Sequence, residues 1–300
     1  MTPLPTVKQL RYLAALDEHR HFGRAAAACF VSQSAFSIAI RELETVLGVR
    51  LVDRTNKRVT ITDVGQEIIA QARLCLRDLE MLVEMARGRQ PPLTGRLRLG
   101  VIPTIAPFLL PRLVPVLRRA YPRLQLYLKE ETTPRLVEEL MGGNLDVLLI
   151  ALPYVLRNVE VMTLFKDRFR LAARAGTKLV DPKHFRFNRL QGESVLLLED
   201  GHCLRDHALS ACRIRSLERV SPFAATSLQT LLQMVDSDLG VTFIPEMAEG
   251  SALLKGTQVR TYPLAEDSYR EIGLVWRKGG GRDREFRELG EFIRDHRKVA

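Results

Sequence analysis

The chain reads as an α/β protein with a helical head. Residues 1–90 carry several short helical periodicities and one long one, whereas beyond Gly88-Arg89-Gln90-Pro91-Pro92 apolar strand-like runs alternate with amphipathic segments. Length agrees, because 300 residues exceed one ordinary hydrophobic core and imply at least two domains.

A chain with 46% hydrophobic and 27% charged residues is globular, which excludes disorder and fibrous repeats. The longest apolar run, Val147 to Leu156, falls well short of the roughly 20 residues of a membrane span. The N-terminus has no apolar signal core or lipidation motif, and four cysteines are too few for a secreted disulfide scaffold, so the expected compartment is the cytoplasm, with no membrane partner. The 45 basic against 35 acidic residues, net +10, point to a polyanionic partner. That excess is spread, +3 over residues 1–90 and +7 beyond, so charge alone locates no surface and a merely basic enzyme remains open.

Residues 6–19 place Val7, Leu10, Leu13 and Ala14 on one helical face. A second short helix near 23–29 is built on Ala25 to Ala28, small enough for a crossing helix to approach closely. Ser32 is the expected N-cap of a third helix, whose buried stripe is Phe36, Ile40, Leu43 and Leu47 and whose end is Gly48. Two short helices joined by a tight turn describe a helix-turn-helix. Ser32, Gln33, Ser34, Ser37 and Arg41 are then candidates for base edges or phosphates in a major groove, the alternative being a three-helix packing module. Arg50 to Thr60 alternates around a Thr-Asn-Lys turn, as a hairpin would, and Arg54, Lys57 and Arg58 make its tip basic: a wing for phosphate or minor groove. Thr62 is expected to cap a long helix reaching about Gly88. Val64, Ile68, Ala72, Leu76, Leu79, Val83 and Ala86 form its apolar seam, read as a dimerisation coiled coil with no core of its own nearby.

The segment from His21 to Gln66 resembles the winged helix-turn-helix of LysR-type transcriptional regulators. The resemblance covers the whole chain and implies a winged helix-turn-helix domain over 1–62, a linker helix over 63–90 and an effector-sensing domain over 91–300. That last domain is expected to be two-lobed and Rossmann-like, of the periplasmic-binding-protein kind, with lobe I at about 91–166 and 271–300 and lobe II at about 167–270. The partner it implies is double-stranded promoter DNA, with RNA polymerase beyond it. Ser34, where the family often has Pro, and Ile38, where a polar residue is common, depart from its pattern.

Within the effector domain the pattern predicts strands at Arg96–Ile102, 124–130, Val147–Ala151, Val195–Leu198 and Ile272–Trp276. Helices are expected around 106–120, from Thr133, from Ser227 and over 283–297, with Gly142-Gly143-Asn144 as a turn. Thr104, Thr133 and Thr226-Ser227 at strand ends and helix starts suit polar small ligands in a cleft, or serve as ordinary caps.

The stretch Leu198 to Cys212 is the chemical centre of the sequence. Cys203 lies between His202 and Arg205, with Asp206 nearby, and positive neighbours would favour the thiolate that attacks peroxide. Cys212 follows nine residues later; taken alone, two such cysteines are more often structural. His202, Cys203, His207 and Cys212 are four conceivable zinc ligands, but paired C-x-x-C spacing is missing, so no metal and no cofactor is expected. A thiol peroxidase would not need the DNA-binding head.

The effector domain also resembles the peroxide-sensing members of the LysR family, through Gly100-Val101-Ile102-Pro103-Thr104, Phe108-Leu109-Leu110-Pro111, Ala225-Thr226-Ser227-Leu228 and Ile272-Gly273-Leu274-Val275. This resemblance implies Cys203 as the peroxidatic and Cys212 as the resolving cysteine of a reversible disulfide. Thr104, Thr133, His202, Asp206 and Arg270, with Arg205 beside them, would position hydrogen peroxide. It further implies a homotetramer, a dimer of dimers, controlling antioxidant genes. His207 stands where an amide is more usual, and Cys29 and Cys75 match no sensing position and read as helix packing. The alternative is a regulator gated by a metabolite in the interlobe cleft.

Overall fold

The structure, a computed structural model, describes residues 3–55, 58–86, 92–182, 184–185, 194–211, 220–264 and 268–297. It divides into two compact units, residues 1–91 with 138–145, and residues 92–137 with 146–300.

The first unit begins with three helices, α1 (Val7–His19), α2 (Phe22–Ala28) and α3 (Gln33–Leu47). A capping box starts α1: Thr6 Oγ1 accepts from the Gln9 amide, and Gln9 Oε1 accepts from the Thr6 amide at 2.9 Å. Thr6 is thus the cap, and the helix begins one residue later than the periodicity alone suggests. Ser32 caps α3, and Gly48, at φ 70°, ends it in the left-handed region where glycine carries no Cβ penalty. Tyr12 stacks on Phe36 with ring centroids 4.9 Å apart, and Leu13, Leu16, Ala25, Ala26, Ile40 and Leu43 close the core around them.

The wing is an antiparallel pair, β1 (Val52–Thr55) and β2 (Arg58–Ile61), with Val52 opposite Ile61 and Thr55 opposite Arg58. Glu44 on α3 accepts from the Leu51 amide at 2.8 Å and the Val52 amide at 3.2 Å, fixing the wing to the recognition helix. The long helix α4 (Asp63–Ala86) follows, and the Gly65 amide donates to Thr62 Oγ1 at 3.0 Å, the expected cap. The expected single seam splits in two. Ile69 and Ala72 turn into the head's own core, so the first half of α4 does have a core beside it, while Val64 is exposed. Leu79, Leu82 and Val83 remain exposed farther along.

In the second unit, β3 (Gly95–Val101), β4 (Leu124–Glu130) and β5 (Val147–Leu152) run parallel, connected through α5 (Ala106–Ala120) and α6 (Thr133–Met141). The apolar β5 is buried along its whole length, as a strand covered on both faces must be. Next comes β6 (Val159–Arg174), a 16-residue strand that the sequence pattern does not predict. It leads through β7 (Val195–Leu198), α7 (Cys203–Ala211), β8 (Val220–Ala225), α8 (Leu228–Asp236), β9 (Thr242–Pro245) and β10 (Val259–Pro263) to β11 (Tyr269–Arg277) and α9 (Asp283–His296). One seven-stranded sheet has the order β10-β6-β11-β5-β3-β4, with β9 also on β6. Residues up to Arg168 of β6 pair with β11, and residues from Phe169 pair with β9 and β10. A single strand therefore serves both halves of the domain. The β6–β11 register slips at Ile272/Gly273, where a Cβ on Gly273 would lie 2.9 Å from the Met162 carbonyl oxygen and 2.5 Å from Leu152 Cδ1, so a side chain at the bulge would force the strands to shift.

A separate core in the far half gathers Val195 to Leu198, Leu204, Ala208, Leu231, Leu232, Val235 and Phe243. It holds α7 by its apolar face, next to the cysteine that begins the helix.

Candidate functional site

The DNA-facing candidates lie on the outer surface of α3. Ser32 Oγ accepts from the Ala35 amide at 3.3 Å and lies 3.0 Å from Ser34 Oγ, so both hydroxyls belong to the helix start. Gln33, Ser34 and Arg41 are exposed, Ser37 is half-buried, and Ile38 projects among them. The Arg41 guanidinium has no ion pair among the described residues, as suits a group held for a phosphate or a base edge. Arg54 is the penultimate residue of β1 and Arg58 the first of β2; Lys57 and the side chains of Arg54 and Arg58 lie outside the described residues.

The second site is buried and is assembled from distant segments. Cys203 is the first residue of α7 and Thr133 the first of α6, so two helix N-termini converge, and the Thr133 hydroxyl contacts Cys203 Sγ directly. The helix-terminal amides favour negative charge there. Arg270 on β11 and its cross-strand partner Asp167 on β6 form a buried ion pair, Nε to Oδ2 at 3.0 Å. The same guanidinium donates to Thr104 Oγ1 at 2.7 Å and to the Thr104 carbonyl at 2.8 Å, while the Met247 amide donates to Asp167 Oδ1 at 3.1 Å. Arg270 is thus immobilised within electrostatic reach of the sulfur. Burial raises the Cys203 thiol pKa, and the Thr133 hydrogen bond and Arg270 offset this only in part, so at rest the group is a thiol.

Of the sequence-predicted residues, Thr104, Thr133, Cys203 and Arg270 form this connected cluster. His202 is buried, and Asp206 is exposed in the first turn of α7. Arg205 is directed elsewhere: it pairs with Asp200 at 3.0 Å and donates to the Leu198 carbonyl at 3.3 Å. The cation acting on the sulfur is Arg270, which sequence proximity does not reveal. His207 Nε2 lies 3.4 Å from the Pro153 carbonyl. Thr104 and Thr133 are buried and engaged rather than lining an open cleft, and Ser227 caps α8 by accepting from the Thr230 amide at 3.2 Å. Cys212 lies outside the described residues. Among the described residues no cluster of His, Cys, Asp or Glu is arranged to hold a metal, and no helix is long and apolar enough to cross a membrane. Asp167 and Met247 are members that the sequence does not announce. The one signal for Asp167 is its phase, for it shares a strand face with Phe165, Phe169 and Leu171.

A winged helix-turn-helix joined to a two-lobed sensing domain defines a class of DNA-binding regulator, and the family comparisons agree. Residues 7–66 match the bacterial regulatory helix-turn-helix of the lysR family, and residues 90–298 match the LysR substrate binding domain. The chain belongs to the LysR family of transcriptional regulators. A hydrogen peroxide-inducible genes activator from Dickeya chrysanthemi is 36% identical over 293 residues, 98% of this chain and 96% of its own length. The HTH-type transcriptional regulator EstR of Acinetobacter baylyi is 39% identical over 287 residues, 95% of each chain. The solved structure of a full-length OxyR variant from Pseudomonas aeruginosa matches with a TM-score of 0.80 at 34% identity, over 97% of this chain and 98% of that one.

Proposed function

We propose that this regulator senses hydrogen peroxide through Cys203, with Cys212 as the resolving cysteine, and controls antioxidant genes from double-stranded promoter DNA. The observation that carries the reading is the buried Cys203 thiol set against the Thr133 hydroxyl under the field of Arg270. Such a site suits a small neutral oxidant and stabilises the negative charge that develops on sulfur and on the departing oxygen. Thr104 and Thr133, with His202 and Asp206 nearby, orient the peroxide. Sulfur attacks one oxygen, the S–O bond forms as the O–O bond breaks, and the products are a sulfenic acid and water. The Cys212 thiol then displaces water from the sulfenic acid to close the disulfide.

Helix geometry makes that second step a switch. With α7 intact, the Cα of Ala211 lies about 12 Å along the axis from that of Cys203. One further peptide of about 3.8 Å does not bring a cysteine within the 4.4–6.8 Å that a disulfide needs. Oxidation therefore unwinds α7 and withdraws Leu204 and Ala208 from their core. The exposed Leu79, Leu82 and Val83 of α4 are the surface through which chains pair, and pairs of dimers present their wings to DNA, with RNA polymerase as the downstream partner.

Thiol trapping and mass spectrometry after peroxide treatment test this reading. A protected Cys203–Cys212 pair is expected in the full chain, no response in Cys203→Ser, and overoxidation of Cys203 in Cys212→Ser. One second reading is a regulator gated by a metabolite with incidental cysteines, since the similar EstR is named as a transcriptional regulator without reference to peroxide. Under that reading both thiols stay alkylatable after peroxide.

A further inference from the structure

We propose that Ile38 reads a thymine, its side chain packing against the C5-methyl group of one thymine in each half of the operator; this rests on the reading of α3 as the helix that enters the major groove. Phe36, Ile40 and Leu43 turn the inner face of α3 into the core of the head. Ser34, Ile38, Arg41 and Thr45 follow one another at four-, three- and four-residue steps, so they form one stripe on the opposite, outer face. Ser34 Oγ lies 3.0 Å from Ser32 Oγ, and Thr45 Oγ1 donates to the Arg41 carbonyl at 3.0 Å. Both hydroxyls are thus engaged with the helix itself. What the stripe presents outward is Ile38, 49% exposed, beside the exposed Arg41.

A single exposed apolar side chain is ordinary on a protein surface. On this face it is not neutral, because the base edges of the major groove carry one apolar group, the thymine methyl, among hydrogen-bond donors and acceptors. Against a cytosine amino group or a purine N7, an isoleucine strips water and returns no hydrogen bond, which is unfavourable. Against the methyl, both apolar surfaces leave water together. The contact therefore selects thymine twice over, by attraction to that base and by desolvation of the others. A β-branched side chain on a helix is held close to one χ1 rotamer, so Ile38 presents a fixed surface and loses little freedom on binding. The first turns of a recognition helix meet the base edges. There Ser34 and Ala35, one turn before Ile38, are short and leave it the most prominent apolar group on the approach. Arg41, one turn later, is placed for a phosphate or a guanine beside the same thymine.

The test begins with an operator selected by the full chain from a pool of random-sequence duplexes. Each thymine of that operator is then replaced singly by deoxyuridine, which keeps the O4 acceptor and the base pair but lacks the methyl. One replacement in each half is expected to weaken binding about fourfold, the share of a single buried methyl. Ile38→Ser should bind the thymine and deoxyuridine operators alike, and its salt dependence should match that of the unaltered chain, because no phosphate contact is lost. If no replacement weakens binding of the unaltered chain by more than about 1.5-fold, the proposal is overturned without any variant. A penalty that persists in Ile38→Ser also overturns it, since groove shape or another residue is then responsible. So does an Ile38→Ser chain that sediments as a smaller assembly, which would place the residue in a contact between copies. Failure of the underlying reading has a different signature: Gln33→Ala, Ile38→Ser and Arg41→Ala would then all bind the selected operator as tightly as the unaltered chain.

Discussion

The outer face of α3 and the pocket at Cys203 both depend on an arginine, and they hold it in opposite ways. Arg41 is exposed, with no ion pair among the described residues, and on the proposed reading its countercharge comes from DNA. Arg270 is buried, and its countercharge, Asp167, is part of the fold. An exposed cation costs the folded protein almost nothing while it waits, but salt screens it. A buried cation keeps its field at close range, and it must have an internal partner or the fold suffers. Recognition of a large polyanion suits the first arrangement, and activation of a single sulfur atom suits the second.

Substitutions at each site should separate these two arrangements. The largest effect is expected from Asp167→Ala, which leaves the Arg270 guanidinium buried without a counterion and costs about 3–5 kcal/mol of stability. Chemical denaturation measures it; a loss under about 1 kcal/mol would mean that water or another group already satisfies Arg270. Next is Leu79→Asp, where a charge in the pairing surface of α4 should weaken dimerisation about 100-fold, or about 2.7 kcal/mol. Sedimentation reads this directly, and an unaltered dimer would place the pairing surface elsewhere. Arg41→Ala should cost about 1–3 kcal/mol of operator affinity while leaving the melting temperature unchanged. If the protein is destabilised as well, Arg41 is structural and the contrast with Arg270 fails. The smallest effect is at the wing, where Arg54→Ala and Arg58→Ala should each flatten the salt dependence of DNA binding by about one unit, equally for all sequences. A sequence-dependent loss in anisotropy titrations would move either residue from phosphate to base contact.

The two sites also differ in how much of each is legible in the amino-acid sequence. The helical head is legible because its information is local: Ser32 as a cap, Gly48 as a stop, and Phe36, Ile40 and Leu43 at helical spacing. The converging site is only partly legible: the pattern marks Thr104 and Thr133 as cleft or capping residues, while their place beside the sulfur, and Arg270 altogether, follow from family resemblance. Thr104 and Arg270 are 166 residues apart and meet through the sheet. Strand β6 escapes the pattern because Lys166-Asp167-Arg168 looks like a solvated turn. The structure buries Asp167 within that run, and the compensating charge lies on a strand 103 residues away. Proximity in sequence misleads in the same way at Arg205, whose partner is the exposed Asp200.

Gly65 bears on how a distant event reaches DNA. A Cβ at this position would lie 2.4 Å from the Leu51 carbonyl oxygen and 2.7 Å from Ile61 Cγ2, so the start of α4 is seated directly on the base of the wing. Contact that close leaves no slack between them. The wing and the start of its long helix therefore turn as one rigid arm. On the pairing proposed above, two such arms joined at their long helices would work like a draughtsman's dividers, the opening at the joint setting the span at the points that meet DNA.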